Sequence, residues 1–182
     1  MRKLLDITEQ ELVQQCKSGN LKHQEILYKQ FYGYAMGIGL RYLSNRDDAL
    51  EAVNDAFIKV FNRIGSFNES LPFKPWLRKV IVNTVIDGRR KTLKNPSQAD
   101  LEEAETVATP ALALAQLQAA DILKMMGSLP EMHRLVFNLY EVDGYNHEEI
   151  STMLSIPASS SRVYLTRAKE RLRKTLLQQE GQ

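Results

Sequence analysis

Residues 147–174 read HEEISTMLSIPASSSRVYLTRAKERLRK. The spacing predicts a short helix over 147–154, a break at Ser155-Ile156-Pro157 and a longer helix over 158–177. Asn146 with Glu149 forms a capping-box pattern that marks the first start, because side chain and backbone each satisfy a donor that the helix leaves free. On the second helix, Ser161, Leu165, Ala168 and Leu172 fall on one stripe that must face a core. Ile150, Met153, Leu154 and Ile156 close the same core from the preceding segment. Ser159, Arg162, Val163, Thr166 and Arg167 point away, and Lys169, Arg171, Arg173 and Lys174 extend the positive charge against Glu170 alone.

A short helix, a tight turn and a longer helix with small polar and cationic residues outward have the layout of a helix-turn-helix. Small serines at the entry let a helix N-terminus sit deep in a major groove. An arginine can fork onto a guanine edge, and later cations meet phosphates and release counterions. A solvated basic helix has the same wheel, so periodicity alone leaves both readings open.

Outward from this stretch, apolar spacing is helical almost everywhere, with helices expected near 8–18, 21–43, 47–64, 73–91, 112–127 and 130–142. Thr8 with Glu11 and Ser128 with Glu131 repeat the capping-box pattern, which places Pro130 in a first turn, where its missing N–H costs little. Between Thr92 and Thr109 the pattern lapses into a polar, acidic segment containing Asp100, Glu102, Glu103 and Glu105. From composition it reads as a charged spacer. The expected fold is therefore all-α: two small helical domains, 1–92 and 112–180, joined by a flexible acidic linker at 93–111.

Composition excludes several classes. A chain of 182 residues allows one mid-sized domain or two small ones, and its 43% apolar content is ordinary globular material. No apolar run nears the roughly 20 residues of a membrane span, and MRKLLDITEQ turns polar too soon for a signal peptide, so a cytoplasmic protein is expected. Cys16 is the only cysteine, which rules out intrachain disulfides and thiolate metal clusters. A net charge of +2 is too small for bulk attraction to nucleic acid, so the placement of charge matters more. His147-Glu148-Glu149 lacks the second histidine of a zinc-protease helix, since Ser151 stands there. Gly37-Ile38-Gly39 lacks the third glycine of a dinucleotide loop and, with Gly33, suggests close helix packing. No nucleophile elbow, phosphate loop or carboxylate pair appears, so neither catalysis nor a cofactor or metal is expected.

The N-terminal half carries two further surfaces. Residues 47–64 bury Ala49, Val53, Ala56, Phe57, Val60, Phe61 and Ile64 on one stripe and display Asp48, Glu51, Asn54, Asp55 and Lys59 on the other. By itself that polar face reads as solvated surface. Residues 73–91 give core spacing to Phe73, Trp76, Leu77, Val80, Ile81 and Val85, beside Lys74, Arg78, Lys79, Arg89, Arg90 and Lys91. Trp76 fits either a core anchor or a stacking platform.

LPEMHRLVFNLYEVDGYNHEEISTMLSIPASSSRVYLTRAKERLRK resembles the promoter-binding domain four of extracytoplasmic-function sigma factors of the sigma-70 family. The shared marks include Leu129-Pro130, Arg134, Gly144-Tyr145, Glu148-Glu149-Ile150 and Arg167-Ala168-Lys169. Glu51-Ala52-Val53-Asn54-Asp55-Ala56-Phe57 is similar to the family's Asp-x-Val-Gln-Glu-x-Phe, with each departure keeping the chemical type. Pro157 stands where the family usually has a serine cap, and Ser161 where many members have valine.

The resemblance implies a sigma factor that directs core RNA polymerase to promoters. Ser159, Ser160, Arg162, Val163, Thr166, Arg167 and Lys169 would meet the minus-thirty-five element. Phe67, Asn68, Trp76, Lys79, Asn83, Arg89 and Arg90 would hold and open the minus-ten element, with Asn83 and the 65–72 loop receiving a flipped base. Asp48, Glu51, Asn54, Asp55 and Lys59 would dock on the polymerase β′ clamp coiled coil. The β flap, promoter DNA and an anti-sigma factor are the other implied partners. Three rivals stay open: a stand-alone helix-turn-helix regulator, an interaction module without DNA, and a small helical enzyme. The first leaves the cationic, aromatic segment at 73–91 unexplained.

Overall fold

The computed structural model describes residues 7–94 and 115–180. Its helices are α1 (Glu9–Lys17), α2 (Leu21–Tyr42), α3 (Arg46–Arg63), α4 (Phe73–Lys94), α5 (Ala115–Gly127), α6 (Glu131–Phe137), α7 (His147–Leu154) and α8 (Ala158–Glu180). A 3-10 turn (Ile64–Ser66) follows α3, and a π-helical turn (Asn138–Val142) continues α6. Among the described residues there is no strand, as the helical spacing predicts. The expected acidic linker falls outside the described residues from position 95 on.

Two of the three capping boxes form. Thr8 Oγ1 accepts from Glu11 N at 3.2 Å while Thr8 N donates to Glu11 Oε2 at 3.0 Å. Asn146 Oδ1 accepts from Glu149 N at 2.9 Å, and Asn146 N donates to Glu149 Oε2 at 2.8 Å. The third, Ser128 with Glu131, does not form. Ser128 Oγ turns back to Met125 O at 2.7 Å, the end of α5, and Pro130 is itself the cap of α6 rather than part of its first turn. Glu131 is then the first helical residue, too early to reach back to Ser128, and its carboxylate is left for another partner.

Helices α2, α3 and α4 pack on one another, and α1 closes one end against α2 and the 3-10 turn. Gly39 permits the α2–α3 approach: a Cβ there would lie 3.3 Å from Ala49 Cβ and 3.4 Å from Val53 Cγ2. Gly33 and Gly37, expected to share that role, have open space where a Cβ would go. Helix α4 also touches α7, and α2 touches α5 and α6, so the two units are packed against each other. One buried cluster accordingly runs from Phe31, Phe57 and Leu77 through to Leu139, Ile150 and Leu165. Val82 and Ile86 are buried as well as the predicted stripe of α4, because a helix with neighbours on several sides hides more than one face.

In the C-terminal unit, Ser155 ends α7 in the left-handed region at φ 55°. That conformation costs a non-glycine residue about 1–2 kcal/mol. Offsetting it, Ser151 O accepts from Ile156 N at 3.2 Å and Ser151 Oγ donates to Ile156 O at 2.6 Å. Pro157 O takes the first bond of α8, from Ser161 N at 3.1 Å, so the helix starts at Ala158 as its spacing predicts. No helix among the described residues is long and apolar enough to cross a membrane.

Candidate nucleic-acid interface

The outer face of α8 follows from the burial of its inner one. Ser161, Leu165, Ala168 and Leu172 are buried, which turns Ser159, Arg162, Val163, Thr166, Arg167 and Lys169 to solvent, with Ser160 half-buried at the edge. Arg162, Val163, Thr166, Arg167 and Glu170 line a shallow open depression. Arg162 Nη2 lies 3.2 Å from Glu148 Oε1 with both side chains more than half exposed, and Lys169 Nζ lies 2.6 Å from Glu141 Oε1. Arg167 has no carboxylate partner among the described residues. A weakly held cation beside a free one suits exchange for phosphate or a base edge.

Ser161 is fully buried, and its hydroxyl is not left wanting. Its Oγ lies 2.9 Å from His147 Nδ1, and the His147 ring stacks on Tyr140 at 4.6 Å. Burial first, then Arg162, pull the His147 pKa below the usual histidine range against the opposing charge of Glu148. The contact ties the first turn of α7 to the entry of α8. No periodicity announces a pair fourteen positions apart on two helices.

On α3, Glu51, Asn54 and Asp55 are exposed opposite the buried stripe, although Phe61 is only partly covered. Asn54 Oδ1 accepts from Tyr28 Oη at 2.9 Å, which leaves its amide N–H groups outward. Asp48 lies 3.9 Å from Arg89 Nη1 and Lys59 lies 3.9 Å from Asp87, both loose surface pairs. Ile58, 59% exposed on the same helix, adds an apolar group that the charge pattern did not bring forward.

The residues expected at the minus-ten surface divide. Lys79 and Asn83 are exposed one turn apart on α4, and Asn68 is exposed on the 65–72 loop. Phe67 is not presented: it is 6% exposed and packs against Phe73 and Trp76, at ring separations of 5.6 and 5.0 Å. Its expected place among base-contacting residues is corrected to that of an apolar anchor, because burying a ring outweighs leaving it on a polar loop. Trp76 is half-buried in the same aromatic group. Arg90 pairs with Asp87 at 3.2 Å. Arg89 Nε lies 2.7 Å from Glu131 Oε1 of α6, close for an ion pair but without hydrogen-bond alignment.

Arg89 belongs to a junction that sequence reasoning missed. Asp143, its side chain 4% exposed, accepts from Tyr42 Oη and from Arg78 Nε, and Arg78 Nη2 donates to Val142 O at 3.2 Å. Burial, then the charge of Asp143, push the Tyr42 phenol far above the usual tyrosine range. Burial works against the Arg78 cation, yet the hydrogen bond and charge of Asp143 leave its pKa raised. Arg134 Nε donates to Tyr42 O at 3.0 Å and Asn138 Nδ2 to Arg41 O at 2.8 Å. Side chains of α6 and its π-helical extension thus satisfy the orphan carbonyls at the end of α2. The hydrogen-bonded partners stand 64 to 101 positions apart, beyond any local signal.

Comparison with known proteins gives matches to two segments of the chain. The model "Sigma-70 region 2" matches residues 27–94 and "Sigma-70, region 4" matches residues 119–172. The RNA polymerase sigma-H factor of Pseudomonas aeruginosa is 26% identical over 180 residues, covering 92% of this chain and 93% of that protein. The ECF RNA polymerase sigma-E factor of Escherichia coli K12 is 28% identical over 176 residues, covering 90% of this chain and 92% of its own. Among solved structures, the sigma factor RpoE of Bartonella quintana, in complex with the anti-sigma factor NepR, superposes with a TM-score of 0.55 at 20% identity. That match covers 84% of this chain and 95% of that one.

Proposed function

We propose a division of labour among three surfaces, proceeding from the premise that the chain belongs to the sigma-70 family as an extracytoplasmic-function sigma factor, an alternative RNA polymerase sigma factor. The exposed α3 face, with Glu51, Asn54 and Asp55, docks on the clamp coiled coil of core polymerase, and Ile58 is its apolar centre. Lys79 and Asn83 on α4, with Asn68 on the neighbouring loop, hold the separated minus-ten strand. Arg162 and Arg167 on α8 read the minus-thirty-five element, and Lys169 with the later cations follows its phosphates. The chain works by binding rather than by catalysis. An anti-sigma factor belongs among the partners, and the α3 face is the surface it would cover.

The observation that carries this reading is the pairing of two separate outward cationic helices, α4 and α8, with a third helix whose outward face is acidic and amide-bearing. A stand-alone helix-turn-helix regulator has no use for the first and the third. In the closed arrangement Arg78 and Arg89 are held by Asp143 and Glu131, so the free chain grips promoter DNA poorly, and polymerase must hold the units apart at promoter spacing. Run-off transcription with purified core polymerase tests it. Asn54→Ala/Asp55→Ala is expected to weaken polymerase capture, and Arg162→Ala/Arg167→Ala promoter choice. Unchanged transcripts from both pairs overturn the reading.

A further inference from the structure

The 65–72 loop is held from outside itself. Phe67 buries its ring under Phe73 and Trp76, which fixes one side of the loop. On the other side, Lys17, the last residue of α1, donates from Nζ to Phe67 O at 2.8 Å and pairs with Glu69 Oε1 at 2.6 Å. The Lys17 side chain is only 23% exposed, so both contacts are partly shielded from water and from salt. Leu12, Val13 and Cys16 are buried and seat α1, giving the ammonium a rigid base.

Within the loop, Asn68 Oδ1 accepts from Ser70 N at 3.0 Å and from Ser70 Oγ at 2.6 Å, and Asn68 O accepts from Leu71 N at 3.1 Å. The donor at Ser70 N fixes which amide atom is oxygen, so Asn68 has its N–H groups left to offer outward. The Phe67 carbonyl and the Glu69 carboxylate, on either side of Asn68, are therefore held by one residue of α1, fifty positions before Phe67.

We propose that Lys17 is a positioning residue for base selection: it clamps the 65–72 loop so that Asn68 presents its amide donors at a fixed place, to a base edge that offers a carbonyl or ring-nitrogen acceptor. The proposal rests on the reading of this loop as part of the minus-ten pocket. Lys17 lies outside residues 27–94, the segment that the region 2 model matches, so the clamp is a property of this chain's α1 rather than of that matched segment.

The test is run-off transcription from promoters carrying each of the four bases in turn at every minus-ten position, with wild type, Lys17→Met, Lys17→Arg and Asn68→Ala. Thermal melting and core-polymerase affinity are measured alongside. Wild type is expected to prefer one base at one position, and Lys17→Met to flatten that preference by about tenfold, the scale of one good base contact. Lys17→Arg, which keeps a cation for Phe67 O and Glu69, should restore most of it. In the Asn68→Ala background Lys17→Met should add nothing, since the two act through one contact. A merely structural lysine would lower transcription from all promoters alike. Robust transcription by Lys17→Met with the base ranking intact overturns the clamp and leaves the sigma reading standing. Failure of wild type to direct any promoter removes both.

Discussion

The two proposed DNA-facing surfaces, on α8 and α4, differ in what lies over them. The α8 face is the outer half of one amphipathic helix, open along its length, with its cations paired weakly or not at all. On α4, Lys79 and Asn83 are open, but Arg78 and Arg89 face the other unit and meet carboxylates there. A surface made by one helix comes into being as soon as the helix packs. A surface shared between units depends on whether they are together or apart, so its charge can be switched by geometry alone.

Substitutions can break this contrast from either side. The largest effect is expected from Arg162→Ala/Arg167→Ala, where losing two candidate base contacts should cut promoter-specific run-off by about a hundredfold or more without moving the melting temperature. Equal losses on promoters with a scrambled minus-thirty-five element would show that these arginines read no sequence. Next comes Asp143→Ala, which removes the buried carboxylate that accepts from both Tyr42 and Arg78, while Arg78 keeps some access to water, and should weaken the junction by about 2 kcal/mol. Fluorescence transfer between labels on the two units should fall, and promoter binding by the free chain should rise. Unchanged transfer would mean that the apolar part of the junction suffices.

Glu131→Gln sharpens the same point at smaller scale. The Arg89–Glu131 pair is a quarter to a third exposed, so its loss should cost less than about 1 kcal/mol while still freeing Arg89 for DNA. A rise in the salt sensitivity of promoter binding would mark the added phosphate contact. The smallest effect concerns the support of α8. His147 has its pKa lowered from 6.5 in the folded chain, so the unfolded chain takes up the proton first as pH falls. Stability is therefore full above about 6.5 and declines below it, with His133 shifted in the same direction. His147→Gln should reduce that slope in a pH series of thermal melts, and an unaltered slope would remove His147 from the account.

Much of the α8 surface was legible because its cause is local. A period near four in Ser161, Leu165, Ala168 and Leu172 names the inner face, and the outer face is what remains. Asn54, Asp55 and Glu51 were legible on α3 for the same reason. Phe67 was not, because an aromatic residue on a loop gives no periodic signal and its burial depends on Phe73 and Trp76 arriving beside it. Ser128 with Glu131 matched a capping box in spacing, but Pro130 took the cap and shifted the helix frame by two residues.

By itself the sequence determined the all-helical fold, the helix-turn-helix and the outward faces of α3 and α8, since helix period, caps and turns act over a few residues. Only the tertiary structure decided that Asp143 closes on Tyr42 and Arg78, that Glu131 turns to Arg89, and that Lys17 reaches the 65–72 loop. Those contacts join residues that no short-range pattern relates. Their partners are chosen by which surfaces lie together once the apolar stripes have been buried, and that choice belongs to the whole chain.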